Sequence, residues 1–75
     1  MARHIFQLEG EFVELNVLLK LLALAPSGGA AKAMVAGGLV SVDGKPETRK
    51  AKKLRAGQVV RLEGEEIRIV AKAAA

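Results

Sequence analysis

The chain has 75 residues, 51% of them hydrophobic, a formal net charge of +4 and no cysteine. This length allows one domain, residues 1–75, with a small core, and the lack of cysteine excludes disulfides and thiolate metal sites. The longest apolar run is too short to cross a bilayer and is interrupted by Lys20, and no signal peptide is recognised. We therefore expect a cytoplasmic, monomeric protein without a cofactor or a membrane segment.

Positive charge is concentrated in the middle of the chain. Residues 20–55 contain eight lysines and arginines but only two acids, Asp43 and Glu47, whereas three glutamates precede this stretch and three follow it. Such a distribution is expected for a surface that meets a polyanion.

A strand and a leucine-rich helix are predicted first. Alternation over residues 3–8 predicts a strand with one apolar face. The helix is expected to start between residues 12 and 16 and to end at Ala25, because Pro26 disfavours helical backbone in the residue before it. The strand face consists of His4, Phe6 and Leu8, and the helix stripe of Leu15, Leu18, Leu19 and Leu22.

Residues 26–44 predict a second helix followed by a hairpin. Ser27 stands where an N-cap belongs, and Gly37-Gly38 supplies a left-handed stop after Ala36. Asp43-Gly44 is a strong signal for a two-residue hairpin turn, and Pro46 restricts the return arm to an edge. The inward residues of this helix are expected to be Ala31, Met34 and Val35.

The first turn of this second helix is almost bare of side chains, because Gly28 and Gly29 follow Ser27. Its unpaired N–H groups and partial positive charge can let an oxyanion approach the backbone closely. Lys32 follows about one turn further on. The alternative is an ordinary capped helix with a flexible entry, since glycine pairs near helix starts are common.

Residues 48–55, TRKAKKLR, form the most basic segment. Five of the seven residues from Arg49 onward are basic, and Leu54 is the one substantial apolar anchor. We expect an exposed loop that ends at a turn around Ala56-Gly57. The alternative is that this loop is merely solvated, as lysine-rich loops usually are.

A second hairpin is expected at the C-terminus, with its turn at Gly64-Glu65. Residues 71–75 should fray. The whole chain then forms an α+β domain, with two short helices packed on a small, mostly antiparallel sheet that contains two hairpins. The expected register pairs Leu62 with Ile67, Val60 with Ile69, Arg61 with Arg68 and Glu63 with Glu66, with Arg61–Glu66 and Glu63–Arg68 as diagonal contacts.

Taken in order, these motifs resemble the alpha-L RNA-binding motif, which is named for the S-four protein of the small ribosomal subunit. The resemblance covers roughly residues 13–70 and is nearest to the small stand-alone YbcJ-like bacterial members. It rests on the leucine-rich helix, Ser27-Gly28-Gly29, Ala31-Lys32, Gly38-x-Val40-x-Val42-Asp43-Gly44, Thr48-Arg49-Lys50, Lys53-Leu54, Gly57 and Val60.

The resemblance implies an L-shaped surface that binds structured RNA, with ribosomal RNA or a ribosomal particle as the leading partner and transfer RNA as the alternative. Aromatic platforms for base stacking are scarce, because the chain has two phenylalanines and no tryptophan or tyrosine. Phosphate and shape recognition is therefore expected. Carried over by position, the RNA-binding residues are Lys20, Ser27, Gly28, Gly29, Lys32, Lys45, Arg49, Lys50, Lys52, Lys53 and Arg55.

Two positions depart from the family pattern. Gly28 stands where the wider superfamily often has arginine, which removes a side-chain contact. Gln58 stands where the family usually has aspartate, and we expect this change to affect a turn rather than binding.

Other functions are less well supported by the residues. An enzyme is not expected, because the sequence has no His/Cys/Ser constellation, no metal cluster and no GxxxxGK[ST] phosphate loop. The main alternative is a protein-interaction module, in which the basic loop docks an acidic partner and an exposed Ile5 or Leu24 contributes to the interface. Binding to double-stranded DNA is a third possibility, since phosphate contacts alone do not distinguish polyanions.

Overall fold

Residues 2–72 are described by the structure, a computed structural model. In chain order the elements are β1 (Ala2–Leu8), β2 (Val13–Glu14), α1 (Leu15–Leu21), α2 (Gly28–Ala36), β3 (Ser41–Val42), β4 (Lys45–Pro46), β5 (Lys53–Leu54), β6 (Val59–Leu62) and β7 (Glu65–Ala71). A five-stranded sheet has the order β1-β7-β6-β3-β4, and β2 pairs with β5 in a separate two-stranded ladder.

The predicted α+β class is confirmed. Every strand pair is antiparallel except β1–β7, which is parallel, so the description of the sheet as mostly antiparallel also holds. The core lies between the helices and the sheet and is aliphatic, as the shortage of aromatics requires. Its fully buried large side chains are Leu15, Leu18, Leu19, Val35, Val40, Leu54, Val60, Ile67 and Ile69.

The second helix has the caps that the sequence predicts. Ser27 is the N-cap, and its Oγ accepts a hydrogen bond from the Ala30 N–H at 3.1 Å. At the other end Gly38 has a φ of 75°, and the N–H groups of Gly38 and Leu39 donate to carbonyls in the last turn. Of the inward residues, Ala31 and Val35 are buried and Met34 is packed against the core.

The predicted end of the first helix is wrong, because α1 ends at Leu21 rather than at Ala25. Ala23 has a left-handed φ of 57°. The Ala23 N–H donates to the Lys20 carbonyl, and the Leu24 N–H donates to the Leu19 carbonyl. This pattern of bonds is a Schellman motif, which usually places glycine where Ala23 stands. The helix therefore ends four residues before Ala25, the residue whose backbone Pro26 restricts.

We predict that Ala23→Gly stabilises the domain. A left-handed backbone costs an L-residue about 1–2 kcal/mol, part of which is offset by the greater freedom of glycine in the unfolded chain. A net gain of up to about 1 kcal/mol would raise the melting temperature by roughly 4–8 °C. Ala33→Gly, at an exposed position inside α2, is the control and should destabilise by about 1 kcal/mol. Equal destabilisation by the two changes would contradict the assignment of Ala23 as a left-handed cap.

The β3–β4 hairpin is confirmed at its turn, although its strands are shorter than expected. Asp43 and Gly44 have φ values of 52° and 82°, the combination found in type I′ turns. Asp43 also connects this turn to β6, since its Oδ1 accepts a hydrogen bond from the Val59 N–H at 2.9 Å. Pro46 lies on β4, an edge strand, as a residue without an N–H donor should.

The predicted register of the C-terminal hairpin is wrong by two residues. Val60 pairs with Ile67, Leu62 with Glu65 and Arg61 with Glu66, so the turn is at Glu63-Gly64. Gly64 has a φ of 75° in this turn. Glycine adopts this left-handed backbone conformation far more readily than glutamate does. The new register also sets Arg61 directly opposite Glu66, whose carboxylate is largely buried and accepts from Arg61 Nε at 3.0 Å.

Two tertiary pairings were not predicted from the sequence. β1 runs parallel to β7, and Ala71, the last residue of β7, pairs with Leu8. The expected fraying therefore does not include Ala71, and residues 73–75 lie outside the described part of the chain. β5 pairs Leu54 with Val13, and Leu54 is fully buried. The basic segment, residues 48–55, is thus not a wholly exposed loop, because it includes the short strand β5, in which Lys53 is exposed and Leu54 is buried.

Candidate nucleic-acid interface

The backbone of the basic loop covers the N-terminus of α1. The N-cap residue, Glu14, makes no side-chain cap bond. Instead, the Leu15 N–H donates to the Lys52 carbonyl and the Asn16 N–H donates to the Lys50 carbonyl, both at 3.0 Å. The first amides of a helix otherwise lack intrahelical partners. These bonds tie the loop to α1 through main-chain atoms and leave its cationic side chains free to point outward.

The cations of this loop surround two shallow surface depressions. Lys45, Arg49 and Lys52 contribute to one, beside the β3–β4 turn. Arg49, Lys52 and Lys53 contribute to the other. Arg49 and Lys52 are common to both, and Lys52 is half-buried whereas Arg49 and Lys53 are exposed. The first depression is also lined by Asp43 and Glu47. The second is lined by Ala51 and the three cations, so an anion seated there would face several positive charges at once, which is the arrangement that phosphate contacts require.

Glu47 holds Arg49 in position through hydrogen bonds, a role that was not identified from the sequence. Its Oε2 accepts from both the backbone N–H and the side-chain Nε of Arg49, each at 3.1 Å. These hydrogen bonds, first the one from the Arg49 side chain and then the one from its backbone, lower the pKa of Glu47 below its ordinary value. The Glu47 side chain is only 14% exposed, whereas that of Arg49 is 73% exposed. An acid two residues before an arginine in a loop has no periodic spacing, so no sequence signal points to this pair.

Two further contacts position cations at the far end of the loop. Lys53 Nζ lies 4.8 Å from the centroid of the Phe12 ring, a cation–π contact of about 0.5–1 kcal/mol at an exposed site. The backbone N–H of Arg55 donates to Gln58 Oε1 at 2.7 Å. Gln58 therefore lies in the turn after the loop, where its departure from the family pattern was expected to act. Phe12 was not predicted as a partner of the loop.

The start of α2 is open to solvent. A Cβ added to Gly28 would meet nothing within 4 Å, and one added to Gly29 would approach only Ser27 Oγ, at 3.9 Å. Internal packing therefore does not explain the two glycines. Within residues 2–72 the N–H groups of Gly28 and Gly29 have no acceptor. Both amides are available to a ligand from outside.

The predicted site residues thus fall into two sets in the structure. Lys20 is exposed in the last turn of α1 and Lys32 is exposed on α2. The loop set is Lys45, Arg49, Lys50, Lys52, Lys53 and Arg55, and the helix set is Lys20, Ser27, Gly28, Gly29 and Lys32. No side-chain hydrogen bond or ion pair of the described residues joins the loop set to the helix set.

Neither a membrane-spanning helix nor a metal-binding cluster is found within residues 2–72. No helix within residues 2–72 is long and apolar enough to cross a membrane. The same residues contain no group of three or more acidic or histidine side chains that could hold a metal ion.

Comparison with known proteins identifies the family. The model of the S4 domain family matches residues 6–70. The chain belongs to the S4 domain family. The match includes both helices, both hairpins and the basic loop, so the loop set and the helix set lie within this S4 domain.

Individual relatives agree with this assignment. The chain is 49% identical to YbcJ of Escherichia coli (strain K12) over 59 residues, which are 79% of this chain and 84% of that protein. YbcJ of Shigella flexneri matches with the same identity and coverage. The solution structure of YbcJ from E. coli superposes with a TM-score of 0.70 at 46% identity, covering 89% of this chain and 86% of that one. That structure is described as an alfaL motif involved in RNA-binding, so the predicted alpha-L fold is confirmed.

Proposed function

We propose that this S4 domain binds structured RNA through phosphate and shape contacts made by the loop set and the helix set. One observation carries the proposal most strongly. The backbone of the loop, which carries the exposed cations, is hydrogen-bonded to the N-terminus of α1 through the Lys50 and Lys52 carbonyls. Side chains on a fixed backbone lose less freedom on binding than those on a mobile tail, so they can match a particular arrangement of phosphates.

Phosphate and shape recognition is favoured over stacking of single-stranded bases. Phe6 is packed against the core, and Lys53 Nζ lies over the ring of Phe12, which is 40% exposed. Single-strand readers usually present free aromatic faces to successive bases. Because both phenylalanines already have intramolecular partners, a folded RNA with a regular phosphate array is the better ligand.

The likeness to the S-four protein and to YbcJ supports a more specific proposal. We infer that the RNA is ribosomal RNA or a ribosomal particle in the cytoplasm of a bacterium, and that the domain binds this RNA rather than modifying it. Crosslinking in cells, followed by sequencing of the attached RNA, identifies the partner. Ribosomal RNA fragments should dominate the crosslinked pool, and a pool dominated by transfer RNA or messenger RNA would overturn the assignment.

We predict a strong salt dependence of RNA affinity. If the two sets neutralise about four to six phosphates, affinity for a folded ribosomal RNA fragment falls by a hundredfold or more between about 50 and 200 mM salt, scaled from duplex DNA. Fluorescence anisotropy measures this, with an unstructured oligonucleotide of equal length as the control. A flat titration would contradict the electrostatic mechanism. Association with cellular partners that survives ribonuclease treatment would instead favour a protein-interaction module.

A further inference from the structure

β1 is a long edge strand with one unpaired side. Its seven residues pair with β7 one for one, from Ala2 with Glu65 to Leu8 with Ala71, so the strand has no bulge. In the five-stranded sheet it lies at one end, and no other strand of the described residues pairs with its free side. A regular edge of this length is a template for another strand.

The pairing with β7 determines which backbone groups face outward. The Ala2 N–H donates to the Gly64 carbonyl at 2.9 Å. Because the N–H and C=O of successive residues alternate between the two sides of a strand, the even-numbered residues bond to β7. The backbone groups of Arg3, Ile5 and Gln7 therefore point away from the sheet.

The middle of this edge lacks the features that usually prevent strand pairing. Residues 4–8 contain no lysine, arginine, acid or proline. Ile5, the central residue of the strand, is 71% exposed on the face opposite Phe6 and Leu8. An isoleucine this exposed at the centre of an unpaired edge can pack against an apolar side chain of another chain.

We propose that β1 is a self-association edge, on which a second copy of the chain adds its own β1 in the antiparallel direction. The free backbone groups require odd residues to pair with odd residues, and centring the pair on Ile5 satisfies this. Ile5 then faces the partner's Ile5 on a two-fold axis, and Arg3 faces the partner's Gln7. The ladder gains about six hydrogen bonds, two for each of three pairs. No like charges are directly opposed, and the two isoleucines pack together on the outer face.

This dimer is weak, because a single strand edge buries little area compared with a standard protein interface. The monomer expected from the sequence and the dimer are then two states of one equilibrium. The proposal does not depend on RNA binding, since β1 contains no residue of the loop set or the helix set.

Disulfide trapping tests both the edge and its register, and the chain has no native cysteine to interfere. In the proposed register the Cα atoms at position 5 are about 5.5 Å apart, within the range that a disulfide spans. Positions 3 and 7 each lie about 14 Å along the strand from their own counterparts. Ile5→Cys should therefore form disulfide dimers about tenfold faster than Arg3→Cys or Gln7→Cys. A mixture of Arg3→Cys and Gln7→Cys should cross-link faster than either variant alone.

Sedimentation equilibrium on the chain without cysteine provides the second measurement. The average mass should rise towards twice the monomer mass between about 10 µM and 1 mM protein. Ile5→Lys should remain a monomer, because two lysines would meet on the axis. Leu21→Lys, the same type of change at an exposed position on α1, should dimerise like the parent. A parent that stays monomeric at the highest concentration, or equal cross-linking rates at positions 3, 5 and 7, would overturn the proposal.

Discussion

Replacing Arg49, Lys50, Lys52 and Lys53 together by alanine should weaken binding to every RNA tested by about a hundredfold or more at moderate salt. The fold should survive, because the loop is tied to α1 by the carbonyls of Lys50 and Lys52, which alanine retains. The lost side-chain contacts, to Glu47 and Phe12, are made by the exposed cations Arg49 and Lys53 and contribute little to folding. The melting temperature should therefore fall by only a few degrees. Anisotropy and thermal denaturation of the same preparations measure both effects.

A matched control distinguishes the effect of the loop cations on RNA affinity from the effect of net charge. Arg3, Arg68 and Lys72 are exposed and lie outside both proposed sets. Replacing these three by alanine lowers the net charge by a similar amount but should reduce RNA affinity far less. If the control weakens binding as much as the loop variant, general electrostatic attraction rather than the loop set accounts for binding. A cooperative loss of the fold in the loop variant would mean that its side chains are structural.

Gly29→Glu should abolish RNA binding without loss of the fold. The added side chain has room, because a Cβ at Gly29 approaches only Ser27 Oγ at 3.9 Å. A carboxylate in the first turn also interacts favourably with the helix dipole, by about 0.3–1 kcal/mol. The same carboxylate would occupy and repel the position that a phosphate needs in front of the free amides. RNA affinity and melting temperature should therefore change in opposite directions.

Gly29→Ala is the control for this prediction. It should stabilise α2 by up to about 1 kcal/mol, because the Gly29 backbone is helical. Its methyl group adds little bulk and no charge, so RNA affinity should fall far less than in Gly29→Glu. If Gly29→Glu binds RNA like the parent, the start of α2 is only a capped helix and the loop set acts alone.

The elements that the sequence predicted well are those defined by local signals. Ser27 and Gly38 determine the ends of α2 through contacts within a few residues. The Asp43-Gly44 turn needs only two residues that tolerate positive φ. The leucine stripe of α1 was identified correctly for the same reason, since helical periodicity is a property of neighbouring residues.

The remaining features depend on partners that are distant in sequence. At the end of α1, Ala23 has a left-handed conformation that glycine normally adopts. Because alanine is not a helix-stop signal, the sequence did not indicate that the helix ends there. The register of β6 and β7 is determined by Gly64 and by the pairing of Arg61 with the buried Glu66. Alternation alone fits the predicted register as well, because a shift of two residues keeps every side chain on the same face.

The same distinction applies to the candidate site. Charge density was sufficient to indicate the cations of the loop, and the run Ser27-Gly28-Gly29 was sufficient to indicate the bare start of α2. Their arrangement was not predictable, because it depends on main-chain bonds between the loop and α1 and on the contacts with Glu47 and Phe12. These contacts join segments that no periodic pattern relates. The roles of both sets in binding remain predictions for the variants above.

The most direct test of phosphate recognition by the loop is the salt dependence of RNA affinity measured for the parent and for the four-alanine loop variant together. For the parent, the slope of log affinity against log salt should be about −4 to −5, and the variant's slope should be shallower by about 2 to 4. That difference counts the phosphates that the loop contacts. Two parallel lines would contradict the account, because the loop cations would then release no counterions on binding.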